Sequence, residues 1–212
     1  AVVLAGSALA VYRDTIDFFG ASPAPERIQL DFQQIHDVSV AESAKVGGAP
    51  TITPEGPARE VLRAEIDGEP RSLWVVPTKE GFFCTRLYIT GNCVMPWALK
   101  SPQGMGAGGL QAHGTSGLDW LHGAVWNDAV QSVELIYQDG DHVKLPFVWV
   151  SAPINAGFYA YDVPTDHEQP GHLSAVVVGY DADRKAVTHA CLTLPPDEVA
   201  ASVPTVRAFC ER

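Results

Sequence analysis

The stretch from Val133 to Trp149 constrains the fold more than any other part of the chain. Val133, Leu135 and Tyr137 alternate with Glu134 and Gln138, and after Asp139-Gly140 the residues Val143, Leu145, Phe147 and Trp149 alternate again. Period-two hydrophobicity on both sides of an Asp-Gly turn specifies an antiparallel hairpin with one buried face. Parity then fixes the register. A two-residue loop would set Leu135 opposite Lys144, mixing core and solvent faces. A three-residue loop with Gly140 in the left-handed region sets Leu135 opposite Val143 and Val133 opposite Leu145. The bulged hairpin is therefore expected, with Glu134 and Lys144 exposed.

Strand-like segments continue on either side. Arg59 to Ile66, Ser72 to Pro77 and Gly81 to Ile89 read as a β-meander over 59–89, with Asp67-Gly68 and Gly81 as punctuation. Phe158 to Val163, Leu173 to Tyr180 and Ala186 to Leu192 supply further strands, and Asp181 to Arg184 a second hairpin loop. Val176-Val177-Val178 is apolar on both faces, as in a strand covered on both sides. Pro25 opens a helix over 25–36, with Ile28, Phe32 and Ile35 at the helical interval and Ser22 as a candidate cap. Val38 to Pro57 and Pro96 to Ser116, rich in Gly and Pro, read as a linker and an irregular crossover. The expected architecture is mainly β, in three parts. Residues 1–20 form an apolar helix, 21–110 an α+β region, and 111–212 an immunoglobulin-like β-sandwich.

The first twelve residues, AVVLAGSALAVY, carry no charge before Arg13. As a helix they rise ~18 Å against a hydrocarbon thickness of ~30 Å. Three readings compete: the tail of a transmembrane anchor, a signal-peptide core ending at Ala8-Leu9-Ala10, and a buried helix. The anchor is the expected one, with residues after about 20 extracytoplasmic and the membrane as partner. The cysteines point the same way. Cys84, Cys93, Cys191 and Cys210 are even in number and lack metal-site spacing, and Gly91-Asn92 offers a turn between the first two. The local pairs 84–93 and 191–210 are expected, and such bridges belong to oxidising compartments. Free buried thiols are the alternative.

The segments LWVVPT, GFFC with a second Cys nine positions on, VELIYQDG, PFVWVSAPINAGFYAYDVP and AVVVGYDADRK resemble a group of uncharacterised actinobacterial-type single-span membrane proteins. The resemblance runs from about Tyr12 to Leu192. It implies one membrane span before an extracytoplasmic β-rich region and implies no chemistry.

Charge excludes one class of partner. Fourteen Lys+Arg against twenty-five Asp+Glu leave −11, with thirteen acids and five bases after residue 110, so no basic patch is available to hold nucleic acid. Gly104, Gly106 and Gly109 spell G-x-G-x-x-G without the strand and helix that dinucleotide binding requires. No cofactor is expected. His167, Glu168 and His172 fall short of a zinc-protease motif, because Pro170-Gly171 intervenes and the histidines lie five apart. Even so, His113, His122, His167 and His172 stand among Asp119, Asp139, Asp141 and Asp166, and imidazoles with carboxylates are what zinc requires. His113-Gly114-Thr115-Ser116-Gly117 puts hydroxyls near an imidazole, and Asp181-Ala182-Asp183 reads as a turn rather than a calcium loop. The aromatic cluster from Trp120 to Tyr161 is expected to be core. The leading functional expectation is a non-enzymatic extracytoplasmic sensing or binding module. The alternative is an envelope hydrolase or metal-binding protein that uses the His/Asp-rich second half.

Overall fold

The computed structural model describes residues 13–46, 51–88, 90–94, 104–111, 118–169, 171–192 and 202–210. Residues 1–12, expected as an anchor helix, and His113 to Gly117 lie outside the described residues. Where the N-terminal helix was expected to continue, Asp14–Ile16 is instead a strand, β1, paired parallel to Phe147–Val150. The helix predicted over 25–36 runs ten residues further, as α1 over Glu26–Val46. Its first turn bonds to the carbonyl of Pro25, and the carbonyl of Ser22 instead accepts from the Glu60 N–H.

Strands β2 (Arg59–Ile66), β3 (Glu69–Pro77), β4 (Phe83–Leu87) and β5 (Thr90–Val94) form sheet I as a meander. Gly91-Asn92 is not the turn expected of it. Those residues lie within β5, the reversal follows Leu87, and Tyr88 there takes a positive φ of 50°. Cys84 and Cys93 consequently face each other directly across β4 and β5 and are bonded.

Sheet II has the order β1-β10-β11-β7-β6, with β6 at Met105–Gln111, β7 at Leu118–Val125, β10 at Phe147–Val150 and β11 at Ala156–Asp162. The segment expected as an irregular crossover thus contributes a strand, and Gly106 and Gly109 sit in it rather than in a nucleotide loop. Gly123 on β7 explains why small residues suit this sheet. A Cβ there would fall on the Tyr159 hydroxyl and the Gly106 carbonyl, to which that hydroxyl donates at 3.0 Å. Sheet III has the order β13-β12-β8-β9, with β8 at Ser132–Tyr137, β9 at His142–Lys144, β12 at Ser174–Tyr180 and β13 at Ala186–Cys191.

The sheets stack with sheet II in the middle. Along β7 and β11 successive side chains point to opposite faces, so Trp120, Ala124, Ala156 and Phe158 meet Val61, Leu73, Val75 and Phe83 of sheet I. Leu121, Val125 and Tyr159 meet Val133, Leu135 and Val177 of sheet III. Helices close both ends. Ile28, Phe32 and Ile35 of α1 cover Val76 and Cys84 on the outside of sheet I, and Val206 and Phe209 of α2 (Pro204–Cys210) cover Ile136, Val176 and Val178 on the outside of sheet III. The layers run helix, sheet, sheet, sheet, helix.

Among the described residues the protein is mainly β, with three sheets and two α-helices. Within 111–212 sheets II and III pack face to face, but the arrangement has more than the two sheets of the expected immunoglobulin-like sandwich. Sheet II takes β1 and β6 from earlier in the chain, and a third sheet covers the face that a sandwich leaves to solvent. The β8–β9 hairpin has the expected register, with Leu135 opposite Val143, the Leu145 N–H bonded to the Val133 carbonyl, and Gly140 at φ 94°. Glu134 departs from expectation. It is on the outer face as parity requires, but it is buried there because Arg184 reaches across from the β12–β13 loop and bonds it at 2.8 Å.

Candidate functional site

Two arrangements gather polar side chains. The first is a groove beside α1, about 450 Å3 in volume, lined by Asp31, Gln34, Ile35, Val38, Ser39, Ile52 and Arg86. Its geometry follows from how the returning chain is tied to the helix. The Ser39 hydroxyl donates to the His36 carbonyl at 2.7 Å and accepts from the Ile52 N–H at 2.9 Å, while His36 Nδ1 meets the Ile52 carbonyl at 2.7 Å. Gln29 fixes the helix further upstream, its amide oxygen accepting from the Ala58 N–H and its amide nitrogen donating to the Ala58 carbonyl. Arg86, on the helix-facing side of β4, places Nε 3.0 Å from Asp31 Oδ2. Apolar walls with one partly exposed ion pair result.

The second arrangement lies where the β8–β9 loop meets the segment after β11. Gln138 joins them, since its amide oxygen accepts from the N–H groups of Gly171 and Leu173. The segment includes a short 3-10 turn, Thr165–Glu168, which lays the His167 ring on the Tyr137 ring at 3.6 Å between centroids and 12° between planes. His172 Nδ1 meets Asp139 Oδ2 at 2.6 Å, and His167 Nδ1 meets the His172 carbonyl at 3.1 Å. Partial burial would raise the Asp139 carboxyl, but the His172 and Asp141 N–H bonds and the nearby imidazoles outweigh it and hold its pKa below the ordinary value. Burial, the Tyr161 hydroxyl 3.5 Å away and the charges of Asp166 and Asp139 push the Tyr137 phenol upward, so it stays protonated.

Of the histidines singled out in the sequence, His167 and His172 therefore do come together with a carboxylate. His122 does not join them. It is buried between sheets I and II, stacked on Trp120 and bonded to the Thr90 hydroxyl at 3.5 Å, and burial lowers its pKa to about 4. Among the described residues no group of histidine, cysteine and carboxylate side chains is arranged to hold a metal ion. Nor, among the described residues, does any Ser, Thr or Cys side chain bond to either imidazole. Asp119 uses its backbone carbonyl to accept from the Val163 N–H. Asp181 Oδ1 accepts from the N–H groups of Asp183 and Lys185, as a turn residue does. Trp120, Phe158 and Tyr159 are core, and both expected disulfides, 84–93 and 191–210, are present. No helix among the described residues is long and apolar enough to cross a membrane.

Compared with known proteins, the chain matches no family model, no curated protein and no solved structure. The groove was not foreseen. Asp31 and Arg86 carry no shared motif, and only the packing of α1 on sheet I brings them together.

Proposed function

We propose that this chain is the non-enzymatic, extracytoplasmic binding part of a membrane-anchored protein, and that it takes its ligand in the groove between α1 and β4. The groove is the observation that carries the reading. Its volume of about 450 Å3 falls within the ~300–1,000 Å3 usual for small-molecule sites. Ile35, Val38 and Ile52 suit an apolar body, and the Arg86–Asp31 pair suits one polar or charged head group. The lining holds no free nucleophile among the described residues, since the Ser39 hydroxyl is already donating and accepting. Two disulfides and the apolar N-terminal segment support the location, as does the resemblance to single-span proteins.

The test uses 1-anilinonaphthalene-8-sulfonate, whose apolar rings and sulfonate match those two features. Saturable fluorescence enhancement with the folded protein, lost in Val38→Glu and weakened in Arg86→Met, is the expected result. Equal enhancement in both variants would overturn the groove as the site. For the location, the full-length protein should fractionate with membranes and resist carbonate extraction, and recovery as a soluble cytosolic chain with four alkylatable thiols would refute it.

A hydrolytic reading rests on the His172–Asp139 pair, which resembles a general base with its orienting carboxylate. It predicts p-nitrophenyl acetate hydrolysis above background that disappears in His172→Ala.

A further inference from the structure

The exposed side of α1 carries a second pattern, which shares Gln34 and Val38 with the groove and runs beyond it in both directions. Ile28, Phe32, Ile35 and Ser39 turn toward sheet I or the returning chain. On the side away from them, Arg27, Leu30, Gln34, Val38, Ala41 and Lys45 are all exposed, spaced three or four residues apart. That spacing at 3.6 residues per turn draws one stripe along the helix. Leu30 is 61% exposed and Val38 55%, and with Val40 they make three of the five large apolar side chains exposed among the described residues, all three on α1.

The stripe is also symmetric about Gln34. Leu30 lies four residues before it and Val38 four after, while Arg27 lies seven before and Ala41 seven after. We infer that a second copy of this chain packs on this face, α1 against α1, antiparallel about a twofold axis through Gln34. Such an axis brings a residue a given number of positions before Gln34 onto the one equally far after it in the other copy. Leu30 then meets the partner's Val38 and, by symmetry, Val38 meets the partner's Leu30. Arg27 meets the partner's Ala41 and stands beside the partner's Glu42, so opposite charges lie together at both ends. Arg27 has no ion pair among the described residues, and the existing Glu42–Lys45 pair is a surface one that yields at little cost. At the centre the two Gln34 amides meet, and each offers both a donor and an acceptor. A polar pair there opposes any shift of one helix along the other, since a shift would place an amide against Leu30 or Val38.

Leu30 and Val38 are ~12 Å apart along the axis, so the apolar contact spans about two turns. One helix pair of this length buries less than the ~1,600 Å2 of a standard interface, which makes the association weak in free solution. Tethering two copies to one membrane would raise their effective concentration and compensate.

The stripe shares Gln34 and Val38 with the groove lining, so a second copy covers part of the groove, whereas Leu30 and Arg27 belong to the stripe alone and Arg86 and Ile52 to the groove alone. The experiment is oxidative cross-linking of a Gln34→Cys variant, all four native cysteines being already bonded. A thiol on the twofold axis faces its own copy. Gln34→Cys should give a covalent dimer, Gln33→Cys, about 100° away round the helix, should remain monomeric, and adding Leu30→Asp should abolish the Gln34→Cys product. Sedimentation equilibrium of the native chain should show the average mass rising toward twice the monomer with concentration, and Leu30→Asp should hold it at the monomer value. Because Leu30 is exposed, that variant keeps its fold, which circular dichroism verifies, and it keeps the dye binding of the groove. Equal cross-linking at positions 33 and 34, or a Gln34→Cys product indifferent to Leu30→Asp, would overturn the pairing.

Discussion

Acid should weaken the packing of sheet I on sheet II through one residue, His122. The residue is 8% exposed, its imidazole lies 5.4 Å from the Trp120 ring system, and among the described residues the Thr90 hydroxyl is its hydrogen-bond partner, so burial lowers its pKa from 6.5 to about 4. Between those values the unfolded chain binds a proton that the folded protein refuses. Stability is therefore complete above pH ~6.5 and is lost progressively as the pH falls toward ~4. At ~1.4 kcal/mol per pKa unit, the gap between 6.5 and about 4 amounts to about 3 kcal/mol. That is a large share of the ~5–15 kcal/mol typical of a folded domain. Urea unfolding at about pH 7, 5.5 and 4.5 measures it, with His122→Leu as reference because leucine binds no proton. The native protein should lose about 2 kcal/mol more than the variant between the highest and lowest pH, since part of the effect lies below pH ~4.5. Parallel loss in both would show that the histidine is not the acid-sensitive group and would refute the reasoning.

Removing the 191–210 bridge by Cys210→Ser should free α2 rather than unfold the protein, because a seven-residue helix is too short to persist alone. The entropy estimate for a loop of this length is ~3 kcal/mol, and hydrogen exchange at 203–210 should accelerate while β7 and β11 stay protected. Gly123→Ala should cost about 1–3 kcal/mol by overpacking, read as a lower unfolding midpoint, because its methyl displaces the buried Tyr159 hydroxyl from the Gly106 carbonyl. Leu135→Ala, at a fully buried position opposite Val143, should cost about 2–5 kcal/mol in the same assay.

Sequence reading succeeded where local chemistry and burial agree. The β8–β9 register followed from parity and one glycine, and the meander from β-branched runs between turns. It failed where tertiary contacts decide. Asp14–Ile16 has no strand signal of its own and is extended because β10 offers it a parallel partner. Met105–Gln111 reads as a loop by its glycines, yet it forms a strand because β7 pairs with it antiparallel and the Tyr159 hydroxyl donates to the Gly106 carbonyl. Glu134 was assigned the correct face and the wrong exposure, since Arg184 lies fifty residues away. In the His167 cluster the residue types were legible and their meeting was not. Asp139 and His172 are thirty-three residues apart and are joined by a loop that Gln138 holds in place.

The position of sheet II between two others has a consequence for the order in which the chain appears during synthesis. Sheet I has all its strands by Val94, but the aliphatic face formed by Val61, Leu73, Val75 and Phe83 has no cover until β7 and β11 exist, which requires the chain through Asp162. β1, the earliest of the described strands, waits for β10 in the same way. A chain emerging N-terminus first therefore carries a finished sheet with a bare greasy side for a long interval, a state prone to aggregation.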